Sequence, residues 1–321
     1  MSDIRLSVLV PVYKVEEYIE KCARSLFEQT MKEGMEYIFI DDCTPDKSIE
    51  ALCRVLDEYP ERRNQVRVLH NEENLSTAGT RTRCLKEAQG EYLIFCDADD
   101  WIDLDMYERM YSQAEQNDAD IVTCNYIRHT PTGLEPVNFD YESNPRSCVE
   151  YLYRNEIFPF SPLWNKMIRR QIFVDHDCYP YPGINLSEDL NVLVRVFCYA
   201  KSLVKMDDYF YHVNRLNMES ITKSQKDKYD LWLTQYKNVN LISGFLSGID
   251  PDSFLYTINN LKFYTKNWHR SALSSKTFYD TWRECHKDIM KFETTPLRGR
   301  LFLTFLYSNY YIFRAWNLIM R

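Results

Sequence analysis

The sequence predicts an α/β protein with a mostly parallel sheet flanked by helices and a helical extension at the C-terminus. Short apolar runs of strand length alternate four times with amphipathic helical segments over about the first 100 residues, a pattern typical of parallel sheets. Polar side chains, among them several carboxylates, follow three of these strands. Because ligands bind at the carboxyl ends of parallel strands, these side chains predict a site at that edge.

The predicted elements follow in order from the N-terminus. The first strand is an apolar run containing Pro11, and a helix with apolar residues at helical spacing follows it. Strands over 35–42 and 65–74 enclose a second helix, which Pro60 ends. A third helix ends at Gly90, directly before the fourth strand.

The remaining chain is predicted in less detail. Residues 106–126 are expected to form a helix and then a strand, and residues 128–150 a loop-rich segment. A helix is expected to begin near Ser187, and a late strand covers 202–215. After about Ser220 the chain is predicted to be helical and is rich in aromatic residues.

Composition excludes several classes of protein. The net charge of −8 argues against a general nucleic-acid-binding protein, which needs a basic face. The ten cysteines form no C-x-x-C pair and mostly lie in apolar stretches, so we expect reduced core thiols in a cytosolic protein and no zinc site. We find no secretion signal and no apolar run long enough to span a membrane.

The C-terminal segment 297–321 has an unusual composition. It contains four arginines, no acidic residue and many large apolar and aromatic residues. This composition suits a helix lying on an anionic membrane surface, and it also suits a buried packing helix.

The acidic stretch after the fourth strand is the first candidate site. In an extended segment the side chains of Asp97 and Asp99 lie on the same face, and a divalent cation would relieve their repulsion. With so few protein ligands, the cation would need phosphate oxygens, which suits a diphosphate substrate. The alternative is a solvated acidic turn.

Two other nucleotide-binding classes fit poorly. The turn after the first strand contains no glycine, which argues against a dehydrogenase, and the chain has no phosphate-binding P-loop. The segment Ala78–Arg83 is faintly similar to the G-T-R loop of sugar-nucleotide pyrophosphorylases, but it precedes the fourth strand instead of following the first.

Several segments in order resemble family 2 glycosyltransferases, whose fold is the Rossmann-like GT-A fold. The similar segments are SVLVPVYKVEEYIEKCARSLFEQT, IFIDDCTPDKS, NLSTAGTRTRCLKEAQGEYLIFCDADD, LWNKMIRR and LSEDLNVLVRV. Together they cover roughly residues 5–215. The chain departs from the family pattern at Lys14, Cys43, Ser76, Thr82 and Cys84, where the family usually has Asn or Gly.

The resemblance implies roles for individual residues. The residues expected to bind the nucleoside-diphosphate sugar are Pro11, Val12, Tyr13, Asp41, Asp42, Arg81, Asp97, Ala98 and Arg215. Asp41 or Asp42 would accept a hydrogen bond from the imide N–H of uracil or thymine. Arg81 would lie near the base or the diphosphate, with a surface ion pair as the alternative.

The same resemblance implies a metal site and a general base. Asp97, Asp99 and His212 would hold Mn²⁺ or Mg²⁺. Asp189 would remove the proton from the acceptor hydroxyl, with its neighbour Glu188 as the alternative. Acidic residues in a first turn also favour the helix dipole without any catalytic role. Asp100 is expected to cap the following helix.

The sequence therefore predicts an inverting, metal-dependent glycosyltransferase that uses a nucleoside-diphosphate sugar, UDP-linked by preference. A GT-A catalytic domain would cover 1–215, with a nucleotide-sugar half over 1–106 and an acceptor half over 107–215; residues 216–321 would form a helical region. The expected acceptor is a glycan or a lipid-linked glycan at the cytoplasmic membrane face. The alternative is a non-catalytic nucleotide- or glycan-binding protein on the same scaffold.

Overall fold

A computed structural model describes residues 4–154, 160–217, 228–273 and 275–291, together with Leu303 and Tyr307. The chain divides into two compact units. The first contains Met1–Ser147 and Pro159–Ser224, and the second contains Cys148–Phe158 and Gln225–Arg321. Apart from Leu303 and Tyr307, the basic and aromatic C-terminal segment lies outside the described residues.

The first unit is built on a sheet of nine strands. The strands are β1 (Leu6–Val12), β2 (Met35–Asp41), β3 (Val66–His70), β4 (Tyr92–Phe95), β5 (Trp101–Ile102), β6 (Ile121–Thr130), β7 (Gly133–Val137), β8 (Lys166–Arg169) and β9 (Leu203–Asn214). Their order is β3-β2-β1-β4-β8-β6-β9-β5, and β7 pairs with β6.

Helices lie between the strands of this unit along the chain. They are α1 (Ile19–Phe27), α2 (Ser48–Asp57), α3 (Ser76–Glu87), α4 (Met106–Gln116), α5 (Pro145–Arg154), α6 (Arg170–His176) and α7 (Glu188–Tyr199). Helix α5 crosses the boundary between the two units.

The longest ladders of the sheet are parallel. β1 pairs in parallel with β2 and β4, β2 with β3, and β6 with β9, whereas β8 runs antiparallel to both β4 and β6. Strands β1, β2 and β4 are apolar and almost wholly buried, as expected for strands covered on both faces. The predicted α/β fold with a mostly parallel sheet is confirmed.

Helix α1 covers this sheet with its apolar side. Cys22, Leu26 and Phe27 are fully buried, and the Phe27 ring meets the edges of Tyr37 and Phe39. The turn after α1 is held by Arg62, which is buried and donates hydrogen bonds to four carbonyl oxygens, those of residues 27, 29, 31 and 32.

Two predictions, one about the segment 128–150 and one about the cysteines, are wrong in part. The segment 128–150, expected to be loop-rich, contains the end of β6, the strand β7 and the start of α5, because β7 folds back on β6 in a hairpin. All ten cysteines are free thiols, as expected. However, Cys43 and Cys53 are exposed and do not belong to the core.

The second unit is helical in its described part. It contains α8 (Lys228–Ile249), α9 (Pro251–Trp268) and α10 (Ser275–Asp280). No helix in the described ranges is long and apolar enough to cross a membrane. The predicted helical character of this region is confirmed for these residues.

A buried polar pair lies inside this unit. Lys266 Nζ donates to Thr281 O and to His286 Nε2, both at 2.7 Å. Burial lowers the pKa of Lys266 to about 8, and burial together with the nearby Lys266 lowers the pKa of His286 to about 3. His286 is therefore neutral near pH 7, so its Nε2 can accept the hydrogen bond that the Lys266 ammonium group donates.

Three residues that depart from the family pattern have left-handed backbone conformations. The φ angles of Lys14, Cys43 and Ser76 are +55°, +56° and +60°. The family usually has Asn or Gly at these positions, which tolerate this region better than other residues do. Lys14, Cys43 and Ser76 therefore have a backbone conformation that is strained for residues of their type.

Replacing Ser76 by glycine should relieve this strain. We expect Ser76→Gly to raise the free energy of unfolding by about 0.5–1 kcal/mol, which is the left-handed penalty less the extra entropy of an unfolded glycine. Urea denaturation measures the change. The control is Ser112→Gly in α4, where the backbone is an ordinary helix and glycine should lower stability by about 0.5–1 kcal/mol. A loss of stability in both variants would contradict the strain at Ser76.

Candidate active site

The turn after β4 is held by buried hydrogen bonds to β9. Tyr211 Oη donates to Asp100 Oδ2 at 3.0 Å and accepts from the backbone N–H of Asp97 at 3.0 Å. The backbone N–H of Asn214 donates to Asp100 Oδ1 at 2.7 Å. Asp100 therefore fixes the turn to β9 and does not cap a helix, which corrects its expected role.

Aromatic packing fixes the Tyr211 ring in turn. Trp164 stacks on it with ring centroids 4.0 Å apart and meets Tyr126 edge-on. Burial raises the pKa of Asp100 well above its usual range, and the nearby charges of Asp99 and Asp97 raise it further. The turn is thus held inside the protein by a carboxyl group whose oxygens are both hydrogen-bonded.

Arg81, on α3, lies among three carboxylates. Its Nη1 donates to Asp189 Oδ1 at 2.5 Å and its Nη2 to Asp97 Oδ1 at 3.0 Å. Nε lies 3.5 Å from Glu188 Oε1, within ion-pair distance, but has no hydrogen-bond partner in the described part of the chain. Arg81 is 5% exposed, so the pairing is buried and is not a surface ion pair.

The start of α7 presents the two acidic residues to this guanidinium. Ser187, with φ of +56°, directly precedes the helix, and Glu188 and Asp189 form its first turn. Burial raises the pKa of Asp189 to about 7; the charge of Arg81 opposes this effect and that of Glu188 adds to it. A carboxylate with such a pKa is suited to taking up a proton near neutral pH.

Asp99, two residues after Asp97, is bound by a residue after β9. Asn217 Nδ2 donates to Asp99 Oδ2 at 2.8 Å. Burial raises the pKa of Asp99, and the charge of Asp97 raises it further, whereas Asn217 and the nearby charge of Arg215 lower it. Arg215 itself is exposed at the end of β9.

Asp97 and Asp99 fit a hard cation only as part of its coordination shell. In the described residues, no group of three or more His, Cys, Asp and Glu side chains could hold a metal ion. Carboxylate oxygens suit Mg²⁺ or Mn²⁺, and the remaining ligands would have to be diphosphate oxygens and water, as the sequence predicts.

His212 is not placed for this role. Its Nδ1 lies 3.0 Å from His129 Nε2 and its Nε2 lies 2.9 Å from Asp103 Oδ1, so both ring nitrogens are bonded within the protein. Trp101 stacks on the same ring. Because Tyr211 points to the Asp97 turn, its neighbour on the strand points to the opposite face. In this structure His212 is therefore bonded away from Asp97 and Asp99, and its role as a metal ligand stays a prediction.

The predicted nucleoside-binding residues lie at the ends of β1 and β2. Asp42 is 4% exposed, and its Oδ1 accepts from Asn71 Nδ2 and from the backbone N–H of Leu75. Asp41 is more accessible, although it accepts from the Thr44 N–H and contacts His70 Nδ1 at 3.0 Å. Of the two carboxylates, Asp41 is the less buried.

The other predicted donor-binding residues differ in exposure. Tyr13 is 38% exposed and Pro11 is half-buried, so both offer surface to a ligand. Val12 and Ala98 are buried, and only their backbone or their position in the turn can contribute. Sequence reasoning missed Tyr211, Asn214 and Asn217, although all three lie in or directly after the predicted late strand.

The mostly parallel sheet of the first unit, with carboxylates directly after β4, has the architecture of the GT-A fold, which its structural neighbours share. The model of the family named glycosyl transferase family 2 matches residues 7–177, more than half of the chain. The chain therefore belongs to this family, and the family predicted from its motifs is confirmed.

Known proteins agree in family and fold. The chain is 30% identical over 223 residues to the glycosyltransferase EpsJ of Bacillus subtilis, covering 68% of this chain and 63% of EpsJ. It is 26% identical over 234 residues to the poly(ribitol-phosphate) beta-N-acetylglucosaminyltransferase TarS of Staphylococcus aureus, covering 71% of this chain and 39% of TarS. It thus spans less than two thirds of either relative's length.

Two solved structures share the fold. TarS 1–349 in complex with UDP-GlcNAc aligns over 90% of this chain and 92% of that one, with a TM-score of 0.62 and 17% identity. A mannosyltransferase from Pyrobaculum calidifontis in complex with GDP-Man and Mn²⁺ aligns over 94% and 86%, with a TM-score of 0.52 and 12% identity. At these identities the likeness shows the fold alone.

Removal of the Tyr211 hydroxyl should destabilise the protein. Tyr211→Phe leaves the Asp97 N–H and one Asp100 oxygen buried without their partner, so we expect the free energy of unfolding to fall by about 1–3 kcal/mol. Chemical denaturation gives the value. The control is Tyr107→Phe, because the buried Tyr107 hydroxyl has no hydrogen-bond partner among the described residues; this change should be neutral or stabilising. Equal effects of the two substitutions would show that the Tyr211 bonds contribute nothing.

Proposed function

We propose that this protein is an inverting, divalent-cation-dependent glycosyltransferase. It transfers a sugar from a nucleoside-diphosphate sugar, with UDP as the favoured carrier, to a hydroxyl of a glycan. The observation that carries the proposal is the common position of Asp189 and Asp97 on the guanidinium of Arg81, which puts a candidate base next to a candidate diphosphate site.

The reaction needs one proton transfer and one displacement. Asp189 accepts the proton of the acceptor hydroxyl as its oxygen attacks the anomeric carbon, while the bond from that carbon to the diphosphate breaks. Direct displacement inverts the configuration at the anomeric carbon. With a pKa raised to about 7 by burial, Asp189 can hold the proton after the transfer and release it to water near neutral pH.

The diphosphate side of the crevice needs positive charge. Asp97 and Asp99 are the residues that would hold Mn²⁺ or Mg²⁺, and the bound ion would neutralise the charge that develops on the departing diphosphate. Arg215 lies close enough to Asp99 to lower its pKa and would add a second cation to the same side of the crevice.

The choice of UDP depends on the nucleoside end of the crevice. Once ionised, the Asp41 carboxylate accepts hydrogen bonds and donates none, which suits the imide N–H of uracil. The exposed ring of Tyr13 could stack on a base. TarS, whose fold this chain shares, binds UDP-GlcNAc. Guanine also carries a ring N–H, so GDP is the competing carrier.

Surface glycans are the proposed acceptor class. TarS is named for transfer to poly(ribitol-phosphate), a polymer rich in hydroxyl groups. The segments LWNKMIRR and LSEDLNVLVRV, which resemble the acceptor side of the family, lie in the half assigned to the acceptor.

Nucleotide binding can be tested by thermal unfolding. A ligand that binds the folded state raises the midpoint, so UDP with Mn²⁺ should give a larger shift than UDP alone, and larger than CDP. In Asp99→Ala we expect the Mn²⁺-dependent part to disappear. The control is Asp120→Asn, which changes a carboxylate that accepts hydrogen bonds from the Arg169 side chain and from the backbone N–H of Lys201. A larger shift with GDP would change the carrier, and no shift with any nucleotide in folded protein would contradict the proposal.

The base assignment predicts a pH dependence. Asp189 must be ionised to take the proton, so with its pKa raised to about 7 the value of kcat/KM should fall about tenfold per pH unit below pH 7. Asp189→Asn should lower kcat by at least about 100-fold and keep the shift with UDP and Mn²⁺. Glu188→Gln is the matched variant, because it removes the alternative base next to it.

Two outcomes would change this assignment. Full activity in Asp189→Asn with loss in Glu188→Gln would move the base to Glu188. Nucleotide binding by wild-type protein without transfer from any UDP- or GDP-sugar would favour a non-catalytic binding protein on the same scaffold.

A further inference from the structure

Arg81 connects the two halves of the proposed reaction. Its two terminal nitrogens bind different carboxylates, Asp189 on α7 and Asp97 in the turn after β4. These carboxylates come from segments far apart in the chain, 108 and 16 residues from Arg81. One planar group therefore sets the position of both.

The arginine is itself held in place. It is almost wholly buried, and its guanidinium carbon lies 5.1 Å from the centroid of the Phe95 ring. Helix α3 is also joined to the segment before α7, because the Ala78 N–H donates to Asn185 Oδ1 at 3.1 Å. Two contacts from α3, one by Arg81 and one by Ala78, thus locate the start of α7.

The charge balance explains why a cation is needed at this point. Asp97, Glu188 and Asp189 all lie within 3.5 Å of the guanidinium, and like charges this close in a buried site repel strongly. A lysine would supply the charge, but its single nitrogen lacks the fixed angle between two N–H groups that a guanidinium has. Geometry, more than charge, distinguishes arginine here.

We propose that Arg81 is a positioning residue, which holds the base Asp189 at a fixed distance from the donor-side carboxylate Asp97 and so sets the line of attack on the anomeric carbon. This inference rests on the proposed function. Arg81 does not bind the donor directly, because its terminal nitrogens already bind carboxylates. Loss of the Arg81 guanidinium should therefore lower kcat more than it lowers the affinity for the donor.

The substitution Arg81→Lys tests this role, since it keeps the charge and removes the fork. We expect kcat for sugar transfer to fall about 100-fold, the effect of misplacing a reacting group by roughly 1 Å. The KM for the donor and the thermal shift with UDP and Mn²⁺ should stay within about threefold and about 1 °C of wild type, respectively, because donor contacts are kept.

The matched control is Arg62→Lys. Arg62 is an equally buried arginine whose fork binds carbonyl oxygens after α1, away from the crevice. We expect this variant to lose stability, because those carbonyls lose their donors, and to keep the wild-type kcat. A loss of kcat in Arg81→Lys that merely followed stability would appear in the control as well.

If Arg81→Lys does not fold, Asn185→Ala provides the second variant. It removes the other contact between α3 and the start of α7 and leaves Arg81 unchanged. We expect kcat to fall by about 3- to 10-fold, with an unchanged shift on UDP and Mn²⁺. An unchanged kcat in folded Asn185→Ala would contradict positioning through α3.

Other outcomes separate this inference from the proposed function. A kcat within about threefold of wild type in folded Arg81→Lys would overturn the positioning role alone. A wild-type kcat at saturating donor, with a lost nucleotide shift, would make Arg81 a donor-binding residue and also overturn it. Absence of transfer by the wild-type enzyme from UDP- and GDP-sugars would instead overturn the proposed function, and the inference with it.

Discussion

The ion-pair cluster around Arg81 is the interaction on which the rest of the candidate site depends. A buried guanidinium pairs with Asp97 and Asp189 and lies near Glu188. Burying these charges is expensive unless they are paired and hydrogen-bonded. The three segments that carry them, α3, the turn after β4 and the start of α7, must therefore lie in one arrangement, and the crevice is a consequence of that arrangement.

The second constraint comes from β9. Tyr211 and Asn214 bind both oxygens of Asp100, and Asn217 binds Asp99. A buried polar network of this kind is costly when only partly satisfied, so the turn cannot move without breaking several bonds. The turn is consequently preorganised, with the Asp97 carboxylate bound by Arg81 and the Asp99 carboxylate bound by Asn217.

The departures from the family pattern can be understood at the level of the backbone. Cys43 and Ser76 have left-handed conformations, which the family usually assigns to glycine. Hydrogen bonds around these two residues hold the path of the backbone. For example, the carboxylate of Asp42 accepts from the Leu75 N–H directly before Ser76. Such positions carry local strain at the edge of the site.

Local patterns in the sequence determined the elements of the fold. Apolar runs and helical spacing predicted β1, β2, β9 and α7, because burial selects residues with the period of each element. Ordered motifs also predicted the family and identified Asp97, Asp189 and Arg81 as candidate site residues, each with a separate role. The hairpin of β6 and β7 was missed, because its mostly exposed second strand lacks an apolar pattern.

Only the tertiary structure decided how these residues combine. Arg81 meets Asp189 across 108 residues, and Tyr211 meets Asp97 across 114, and no local spacing encodes such contacts. The partners of Tyr211 and His212 also differ, because neighbouring side chains of a strand point to opposite faces: Tyr211 bonds to the Asp97 turn, whereas His212 bonds to His129 and Asp103. The sequence thus specified which residue types are present. Packing between distant segments decided which charges pair and in which direction the side chains point.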